Sequence, residues 1–551
     1  MSTQPIRRWD RETALLAWLT ACVSLLSFLF YFRRGEILLY GDAVAHINIA
    51  RRVFDSRTPG LLQLGTVWLP LPHLLMIPFL LSNWMWKTGV GGSIPSMAAY
   101  VFGTVGIFRL VRDGLNAAAQ PNPAIRFAAW LAAISYAANP NLIYLQATAM
   151  TEPLYLALFI WALVYFDEFV QLAGKANENT PQSPVSPPLI KCGLCLTAAC
   201  LTRYDAWFLA VVMCALALPV ALLARGRGYT FGRGLRIFIL LAAAAPVLWL
   251  AYNAIVYRNP LEFATGPYSA KAIEQRSTAA SHPGAHDLPT AFSYFLKSAE
   301  LNLSAERGQK LWILLALAGV IATLTQSRAR QHLWPVLLLW IPLPFYALSV
   351  AYSGVPIYVP PWWPFSYYNV RYGLELLPAF AVFVAVAVYL AAKWIERRWL
   401  KFAAAAVGVI FVAASYFSIW SAPVCFREAV INSQGRIVLE RELADFLKAL
   451  PSDSSVLMYL GNHVGALQQA GIPLRRIINE GNHRTWKQPA DQDGLWERTL
   501  ADPGKYAEFV IAFEGDAVST GVQKQNLVPL AVIHASGEPK ATIYRTHGLP
   551  R

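Results

Sequence analysis

The sequence contains few charged residues and few cysteines for its length. Charged residues make up only 14% of the 551 positions, whereas hydrophobic residues make up 56%. Soluble globular proteins carry about 25% charged residues, so this composition excludes a soluble globular protein. Apolar runs long enough to cross a bilayer recur along the chain instead. The sequence therefore predicts a polytopic α-helical membrane protein.

The six cysteines provide neither a disulfide framework nor a metal site. Cys192 and Cys195 form a Cys-x-x-Cys pair, but no second pair stands at metal-ligand spacing. We interpret this pair as small apolar residues beside a span. No dedicated metal motif occurs elsewhere, so the sequence predicts neither a metal nor another cofactor.

The apolar runs predict about eleven transmembrane helices of roughly 15 to 22 residues each. They lie near 13–32, 95–111, 125–144, 149–169, 189–201, 206–223, 235–257, 311–324, 333–351, 372–392 and 402–420. The first run is longer than the apolar part of a signal peptide and lacks a cleavage pattern, so we expect a retained helix. The segment 66–86 is also apolar, but three prolines interrupt it. We predict that it is re-entrant or interfacial.

Basic residues in short loops predict the orientation of these spans. They fall on alternate sides, at Arg7, Arg8 and Arg11; Arg109, Arg112 and Arg126; Lys175 and Lys191; Arg225, Arg227, Arg233 and Arg236; Arg328 and Arg330; and Lys393, Arg397, Arg398 and Lys401. These sides are therefore predicted to be cytoplasmic, with the N-terminus inside and the C-terminus outside the inner membrane. This signal accounts for much of the net charge of +14, and nucleic acid is not an expected partner.

The composition changes after Trp420, where spanning runs end and charge rises. We therefore predict a transmembrane domain, 1–421, followed by an extracytoplasmic α/β domain, 422–551. Its predicted helices are 436–450 and 464–470, and its predicted strands are 455–460, 475–479, 507–513, 530–535 and 541–545. Two of these strands lead into Gly461-Asn462-His463 and Glu480-Gly481-Asn482-His483. Each motif is expected to be either a simple turn or a ligand contact. For the domain as a whole, the expected roles are contact with substrate, an outer lid or a partner-binding module.

The segment 174–188 is rich in polar residues and proline, which predicts a flexible cytoplasmic linker. Two loops on the opposite side, 257–310 and 353–370, are long, and the second is dense in aromatic residues. Loops of this length often act as functional lids. Their tyrosines and tryptophans either stack on sugars or form an interfacial belt.

The predicted outer face collects polar residues from segments that are distant in the chain. They are Asp42, His46 and His73 in the first outer loop (33–94), Glu152 at the start of the fourth span, Arg203, Tyr204 and Asp205 in the turn between the fifth and sixth spans, and Arg371 and Tyr372 before the tenth. Charged residues gathered at one surface are what a site at the membrane boundary requires.

Each of these residues also has a structural interpretation. Asp42 can cap a juxtamembrane helix, and Glu152 can stabilise the start of its own helix. Arg203 and Asp205 can pair only with each other across their turn. His73 can serve as a hydrogen-bonded anchor at the interface.

The order of the motifs between residues 13 and 420 carries a family resemblance. An acid in the first outer loop precedes a proline-rich apolar segment, then Thr151-Glu152-Pro153, Thr202-Arg203-Tyr204-Asp205 and Arg371-Tyr372-Gly373-Leu374-Glu375-Leu376-Leu377-Pro378. This arrangement resembles the GT-C glycosyltransferases, and within them the branch of the protein mannosyltransferases and lipid A aminoarabinose transferases.

The resemblance implies an enzyme that transfers a sugar from a polyprenyl-phosphate carrier to an acceptor. Asp42 matches the first-loop acid that acts on the acceptor, and Arg203 and Arg371 match positions near the donor phosphate. The further residues expected to bind substrate are His46, His73, Glu152, Tyr204, Asp205 and Tyr372.

The expected chemistry is consistent with the predicted compartment. Nucleotide sugars are absent outside the cytoplasm, so a transferase there needs a lipid-borne donor and an extracytoplasmic acceptor, which is a lipid, a glycan or a protein. Asp42 is the candidate general base, cations stabilise the departing phosphate, and direct displacement inverts the anomeric centre. The alternatives are a transporter or flippase for lipid-linked sugars, or a non-catalytic membrane subunit of a cell-envelope glycan assembly complex.

Overall fold

The computed structural model describes residues 10–175, 186–225, 232–272, 282–461, 463–482, 494–523, 525 and 527–546. Several residues named above lie outside these ranges, namely Arg7, Arg8 and Arg227, the linker residues 176–185, Asn462 and His483.

Helices dominate the chain up to residue 448. The helices before residue 273 are α1 Arg11–Arg33, α2 Gly41–Arg52, α3 Leu71–Leu80, α4 Asn83–Thr88, α5 Val90–Ala118, α6 Pro123–Ala137, α7 Pro140–Gln146, α8 Glu152–Lys175, α9 Pro187–Cys200, α10 Asp205–Arg225, α11 Gly232–Val256 and α12 Glu262–Thr265. The next are α13 Leu288–Leu303, α14 Glu306–Thr325, α15 Ser327–Leu333, α16 Pro342–Tyr352, α17 Leu377–Trp394, α18 Arg398–Trp420 and α19 Val424–Lys448. Short 3-10 helices cover Leu61–Leu64, Trp334–Trp340, Val370–Leu376 and Leu474–Arg476.

Nine helical segments in the described part of the chain are long and apolar enough to cross a membrane. They are Arg11–Arg33, Val90–Ala118, Glu152–Lys175, Asp205–Arg225, Gly232–Val256, Glu306–Thr325, Ser327–Tyr352, Val370–Lys393 and Trp399–Lys448. The predicted polytopic helical architecture is therefore confirmed. The predicted count of eleven is not confirmed, because the two remaining runs, 125–144 and 189–201, correspond to shorter helices.

The predicted third span is broken for a local reason. Helix α6 ends at Ala137, and the side chain of Asn139 accepts hydrogen bonds from the backbone N–H groups of Asn141 and Leu142. This cap begins a new helix with Pro140 in its first turn. Proline is favoured at that position but interrupts a continuing helix.

The apolar segment 66–86 contains helices α3 and α4, of 10 and 6 residues. At about 1.5 Å per residue neither can cross a hydrocarbon core of about 30 Å. This geometry agrees with the prediction of a re-entrant or interfacial segment.

The C-terminal region contains a five-stranded sheet of order β2-β1-β3-β5-β4, which confirms the predicted small α/β unit. Its strands are β1 Val456–Met458, β2 Ile477–Ile478, β3 Phe509–Phe513, β4 Val528–Ile533 and β5 Ala541–Arg545, and its helices are α20 Val464–Ala470, α21 Leu495–Ala501, α22 Pro503–Tyr506 and α23 Ala517–Val522. Strands β1, β2 and β3 run parallel, and β5 pairs antiparallel with β3 and β4. Every residue of β3 is buried, so this strand forms the centre of the sheet core.

Two faces of the molecule are separated by the long helices. Arg112 bonds Asp10 at 2.6 Å, and Gln171 bonds His332 at 2.7 Å, so loops predicted to be cytoplasmic meet at one face. The C-terminal sheet lies at the other face, where Asn48 of α2 donates to Gln468 of α20 at 2.6 Å. The first outer loop is therefore in direct contact with the C-terminal unit.

A candidate active site around two arginines

Arg371 lies at the centre of the predicted outer face. Its Nη2 is 2.5 Å from Asp42 Oδ2, its Nε is 3.1 Å from Glu152 Oε1, and its Nη1 is 2.8 Å from Glu428 Oε1. Each nitrogen of this guanidinium therefore contacts a carboxylate from a different segment of the chain. Sequence positions 42, 152, 371 and 428 are brought together by one side chain.

The backbone around Arg371 requires a close approach between helices. Arg371 lies in the 3-10 helix Val370–Leu376, which follows Asn369 in the left-handed region at φ 56°. A Cβ atom at Gly373 would overlap the backbone nitrogen of Ala299. Glycine at this position therefore lets the segment pack against α13 and holds Arg371 in place.

Arg203 occupies a second position in the same network. Its Nε is 3.0 Å from Glu375 Oε1 and 3.3 Å from Asp205 Oδ2, and its Nη1 is 3.3 Å from Glu152 Oε1. Its Nη2 donates to the hydroxyl of Tyr346 at 2.6 Å. Glu152 Oε1 thus bridges the two arginines. The predicted pairing of Arg203 with Asp205 exists, but it is one contact among several.

Carboxyl groups outnumber guanidinium groups in this network. We call it the two-arginine cluster; it comprises Arg203, Arg371, Tyr346, Asp42, Glu152, Asp205, Glu375 and Glu428. Five carboxyl groups thus face two guanidinium groups. Burying excess charge is unfavourable for folding, and such arrangements are concentrated at functional sites.

Asp42 is the accessible acid of the cluster. Its side chain is 40% exposed, whereas those of Glu152, Asp205, Glu375 and Glu428 are at most 2% exposed. Asp42 lies in the first turn of α2, but the N-cap residue is Tyr40, and no side chain caps this helix. The capping interpretation of Asp42 is therefore wrong, because its carboxylate bonds Arg371 instead.

His46 and His73 form a buried pair beside the cluster. Their Nδ1 and Nε2 atoms are 2.9 Å apart, and the ring of Trp68 lies 4.8 Å from that of His46. Burial, followed by the charges of Arg371 and Arg203, lowers the pKa of His46 to about 3. Burial, His46 and Arg52 hold the pKa of His73 well below its usual value. Both imidazoles are therefore neutral near pH 7.

The two predicted tyrosines have different surroundings. The ring of Tyr372 lies 5.0 Å from the Cζ atoms of both Arg203 and Arg371, so it packs against the cluster. The hydroxyl of Tyr204 donates to the carbonyl of Val67 at 2.9 Å and accepts from the Trp249 indole at 3.1 Å. Tyr204 thus holds the first outer loop and is not part of the cluster.

Three members of the cluster were not predicted as site residues. Glu375 follows Arg371 by four positions in the motif that carries the family resemblance, and this spacing could have indicated it. Tyr346 and Glu428 have no comparable signal. Glu428 lies on α19, within the region assigned to the C-terminal domain, and its Oε2 also accepts from the backbone N–H of Val370 at 2.7 Å.

The C-terminal unit contacts the helix that carries Asp42. Asn48 of α2 accepts from the Trp86 indole at 3.0 Å, while Gln468 donates to the carbonyl of Trp86 at 2.9 Å. Together with the bond between Asn48 and Gln468, these bonds connect Asn48, Trp86 and Gln468 in a closed triangle.

The turn after β1 has a structural role, because Glu480 accepts from the backbone N–H groups of Leu460 and Gly461.

Comparisons with known proteins identify the fold. No family model matches the sequence, and no curated protein matches it. The solved structure of ArnT from Cupriavidus metallidurans bound to undecaprenyl phosphate is 12% identical, with 97% of this chain and 99% of that chain covered and a TM-score of 0.57. ArnT in the apo state is also 12% identical, with 98% and 100% covered and a TM-score of 0.55.

A third solved structure is more distant. The archaeal oligosaccharyltransferase AglB from Archaeoglobus fulgidus, in complex with an inhibitory peptide and a dolichol-phosphate, is 10% identical, with 91% and 69% covered and a TM-score of 0.48. The likeness to ArnT extends over nearly all of both chains. The chain therefore has the fold of ArnT, a GT-C protein, and the GT-C resemblance predicted from the sequence is confirmed at the level of the fold.

Proposed function

We propose that the chain is an integral-membrane glycosyltransferase that moves a sugar from a polyprenyl-phosphate donor to an acceptor outside the cytoplasm. The observation that carries this proposal is the position of Asp42. One of its oxygens contacts Arg371, and the side chain remains 40% exposed in a cluster whose other acids are buried. An oriented carboxylate with a reachable oxygen is what a general base requires.

The proposed reaction is a single displacement. Asp42 takes the proton from an acceptor hydroxyl or amine as the acceptor atom forms a bond to the anomeric carbon. The bond between that carbon and the phosphate oxygen breaks, and the polyprenyl phosphate leaves with the bonding electrons. Attack from the side opposite the leaving group inverts the anomeric centre.

The donor class is supported by the fold. ArnT, which shares this fold over nearly its whole length, has been solved bound to undecaprenyl phosphate. We expect the same class of carrier here, with the donor entering from the membrane lipids. We also expect the two-arginine cluster and the C-terminal domain to lie on the extracytoplasmic side of the inner membrane, with the N-terminus in the cytoplasm.

The predicted role of Arg203 and Arg371 as phosphate ligands stays a prediction. Every nitrogen of Arg371 contacts a carboxylate, and those of Arg203 contact carboxylates and hydroxyl groups. We propose instead that their first role is to hold the acids, Asp42 among them, in a fixed arrangement. His46, His73 and Tyr372 line the same region and are proposed to contact substrate.

The position of the cluster argues against the transporter alternative. A transporter of lipid-linked sugars requires its polar site near the middle of the bilayer, commonly at interrupted helices. Glu152 and Asp205 are instead the first residues of α8 and α10, and Arg371 lies at the start of another spanning segment. The cluster thus lies at the ends of the spans.

A transfer assay tests the proposal. Labelled sugar is offered to the purified full chain on a pool of polyprenyl-phosphate sugars, together with membrane acceptors, and the parent is compared with Asp42→Asn. We expect sugar transfer to be at least about 100-fold slower in this variant. This is the loss typical when a general base is removed. Asp445→Asn, which removes an exposed acid from α19, provides a matched control with unchanged transfer.

The outcomes of this assay separate the alternatives. Undiminished transfer by Asp42→Asn removes Asp42 as the base. No transfer by the parent with any donor favours the transporter or the non-catalytic subunit. Binding of the donor to a folded Asp42→Asn chain, measured in parallel, shows that the loss concerns chemistry.

A further inference from the structure

Both carboxylate oxygens of Glu428 hold the same short segment of the chain. Its Oε1 lies 2.8 Å from Arg371 Nη1, and its Oε2 accepts from the backbone N–H of Val370 at 2.7 Å. The side chain is 1% exposed. Charge-assisted bonds of this kind fix geometry as well as contribute energy. Glu428 thus fixes the guanidinium of Arg371 and the backbone next to it.

Glu152 contacts the same guanidinium but is shared between two partners. Its Oε1 lies 3.1 Å from Arg371 Nε and 3.3 Å from Arg203 Nη1. Its Oε2 has no hydrogen-bond partner among the described residues. Both contacts are longer than that of Glu428, and longer charge-assisted bonds are weaker. Of the two buried acids on Arg371, Glu428 is therefore the firmer anchor.

Arg371 transmits this constraint to Asp42. In the described part of the chain, Arg371 Nη2 is the one group that hydrogen-bonds the Asp42 side chain. Nη1 and Nη2 belong to one rigid planar fork, so a bond that fixes Nη1 also sets the direction of Nη2. The Asp42 side chain is 40% exposed, and without this bond other rotamers are open to it. The orientation of its carboxylate therefore depends on Glu428.

Helix α19, which carries Glu428, also holds the chain just before the candidate base. Arg436 Nη2 donates to the carbonyls of Leu38 at 2.9 Å and Leu39 at 2.8 Å. The hydroxyl of Tyr40, the N-cap residue of α2, donates to the carbonyl of Cys425 at 2.8 Å. One helix thus fixes the backbone that leads into α2 and, through the guanidinium, the side chain in its first turn.

We propose that Glu428 is a positioning residue for sugar transfer, which orients the Asp42 carboxylate through Arg371. This inference rests on the proposed function and deepens it. Glu428 is buried and takes no part in proton transfer itself. A catalytic group must be held within about 0.5 Å of its productive geometry. A displacement of about 1 Å can slow a reaction by about 100-fold.

Steady-state kinetics of the full chain test this role, with the same donors and acceptors as for Asp42→Asn. Glu428→Gln removes the charge, whereas Glu428→Asp keeps it but withdraws the carboxylate by about 1.5 Å. Glu442→Gln, at an exposed position of the same helix, is the matched control with the kinetics of the parent. We expect kcat to fall about 10-fold in both Glu428 variants, while the donor KM stays within about two-fold of the parent.

The split between kcat and KM distinguishes positioning from a structural role. A residue that only stabilises the fold changes the amount of folded chain, measured by size-exclusion chromatography, and leaves kcat per folded chain unchanged. Because Glu428→Asp preserves the charge balance around Arg371, it is expected to fold even where Glu428→Gln does not. A parent-like kcat in Glu428→Asp, or a raised donor KM with unchanged kcat, overturns the inference.

A double-mutant cycle tests whether Glu428 acts through Asp42. Once Asp42→Asn has removed the base, adding Glu428→Asp should lower the residual transfer by less than about two-fold, because the two residues act in one unit. A further loss of about 10-fold in the double variant means that Glu428 acts independently of Asp42. That result overturns the inference.

Hydrogen exchange of the amides of α2 gives a readout that needs no sugar transfer. We expect faster exchange in the first turn of α2 in Glu428→Asp, and parent-like exchange in α14, which carries no member of the two-arginine cluster. Unchanged exchange in α2 counts against the inference. If the parent transfers no sugar but α2 exchanges faster in Glu428→Asp, the proposed function fails while the positioning of Asp42 stands. If Asp42→Asn loses transfer but Glu428→Asp does not, the positioning fails while the proposed function stands.

Discussion

The two membrane faces both pair arginines with acids, but they do so differently. At the face predicted to be cytoplasmic, Arg109 bonds Glu168 and Arg112 bonds Asp10, each at 2.6 Å. The acids in these pairs remain 24% and 40% exposed. In the two-arginine cluster, four of the five acids are at most 2% exposed.

This difference indicates that the pairs at the predicted cytoplasmic face hold neighbouring segments together, whereas the two-arginine cluster has a functional role. Pairs whose acids are partly exposed contribute less to stability, because water already solvates those carboxylates. The two-arginine cluster is unfavourable for folding unless every contact is made, and it leaves one acid accessible. We therefore expect the two faces to respond differently to the same kind of substitution.

Arg371→Gln should have the largest effect on stability. It removes the positive group shared by three carboxylates, and breaking a buried ion pair costs about 3–5 kcal/mol. Thermal unfolding in detergent measures the change, with Arg112→Gln at the other face as the matched control. Equal losses in the two variants contradict the distinction between the faces.

The pH dependence of stability should also come from this region. In the unfolded chain His46 titrates near its ordinary pKa of 6.5, whereas in the folded chain burial lowers it to about 3. Between these values the unfolded chain binds more protons, so stability is lost as the pH falls. The contribution of His46 approaches about 1.4 kcal/mol per pH unit.

The check is the unfolding temperature between pH 7 and 5. His46→Gln should decline less steeply than the parent, while His534→Gln, at an exposed position in the C-terminal sheet region, should follow the parent. Parallel curves for the parent and His46→Gln would show that the histidine is not held neutral.

Gln468→Leu should weaken the connection between α2 and the C-terminal unit. It leaves Asn48 and the Trp86 carbonyl without their partner, which costs about 1–3 kcal/mol. Because α2 carries Asp42, we expect kcat to fall while the KM of the donor changes little. Gln523→Leu, on the exposed end of α23, is the control. An unchanged kcat means that docking of this unit does not position Asp42.

Arg126→Gln should have the smallest effect. Arg126 bonds Glu12 at the predicted cytoplasmic face, and both side chains are partly exposed. Surface pairs of this kind contribute about 0.2–1 kcal/mol and are screened by salt. The difference from the parent should shrink further at high ionic strength. A loss as large as that of Arg371→Gln would contradict the comparison.

Much of the architecture was predictable because it depends on local pattern. Helix Val464–Ala470 has the predicted bounds, and β5 likewise spans the predicted 541–545. The third span was wrong as a single helix, because Asn139 and Pro140 restart the chain after Ala137. The long apolar run favoured the prediction of one continuous span, although the capping residue Asn139 and the following Pro140 are present in the sequence.

The candidate site was predictable only in part. Asp42, Glu152, Arg203, Asp205 and Arg371 were named from their positions at the ends of predicted spans, and the structure brings them together. The contacts of Glu428 and Tyr346 depend on how helices distant in sequence pack. The placement of Tyr204 against the first outer loop has the same cause.

The sequence by itself determined that this is a polytopic helical membrane protein with polar groups concentrated toward one face and an α/β unit after the last span. Local composition and periodicity are enough for that, because a bilayer admits few other solutions. Only the tertiary structure decided that Asp42 is the accessible acid and that the two arginines are occupied by carboxylates. Those assignments depend on which charges face one another, and packing between distant segments sets that arrangement.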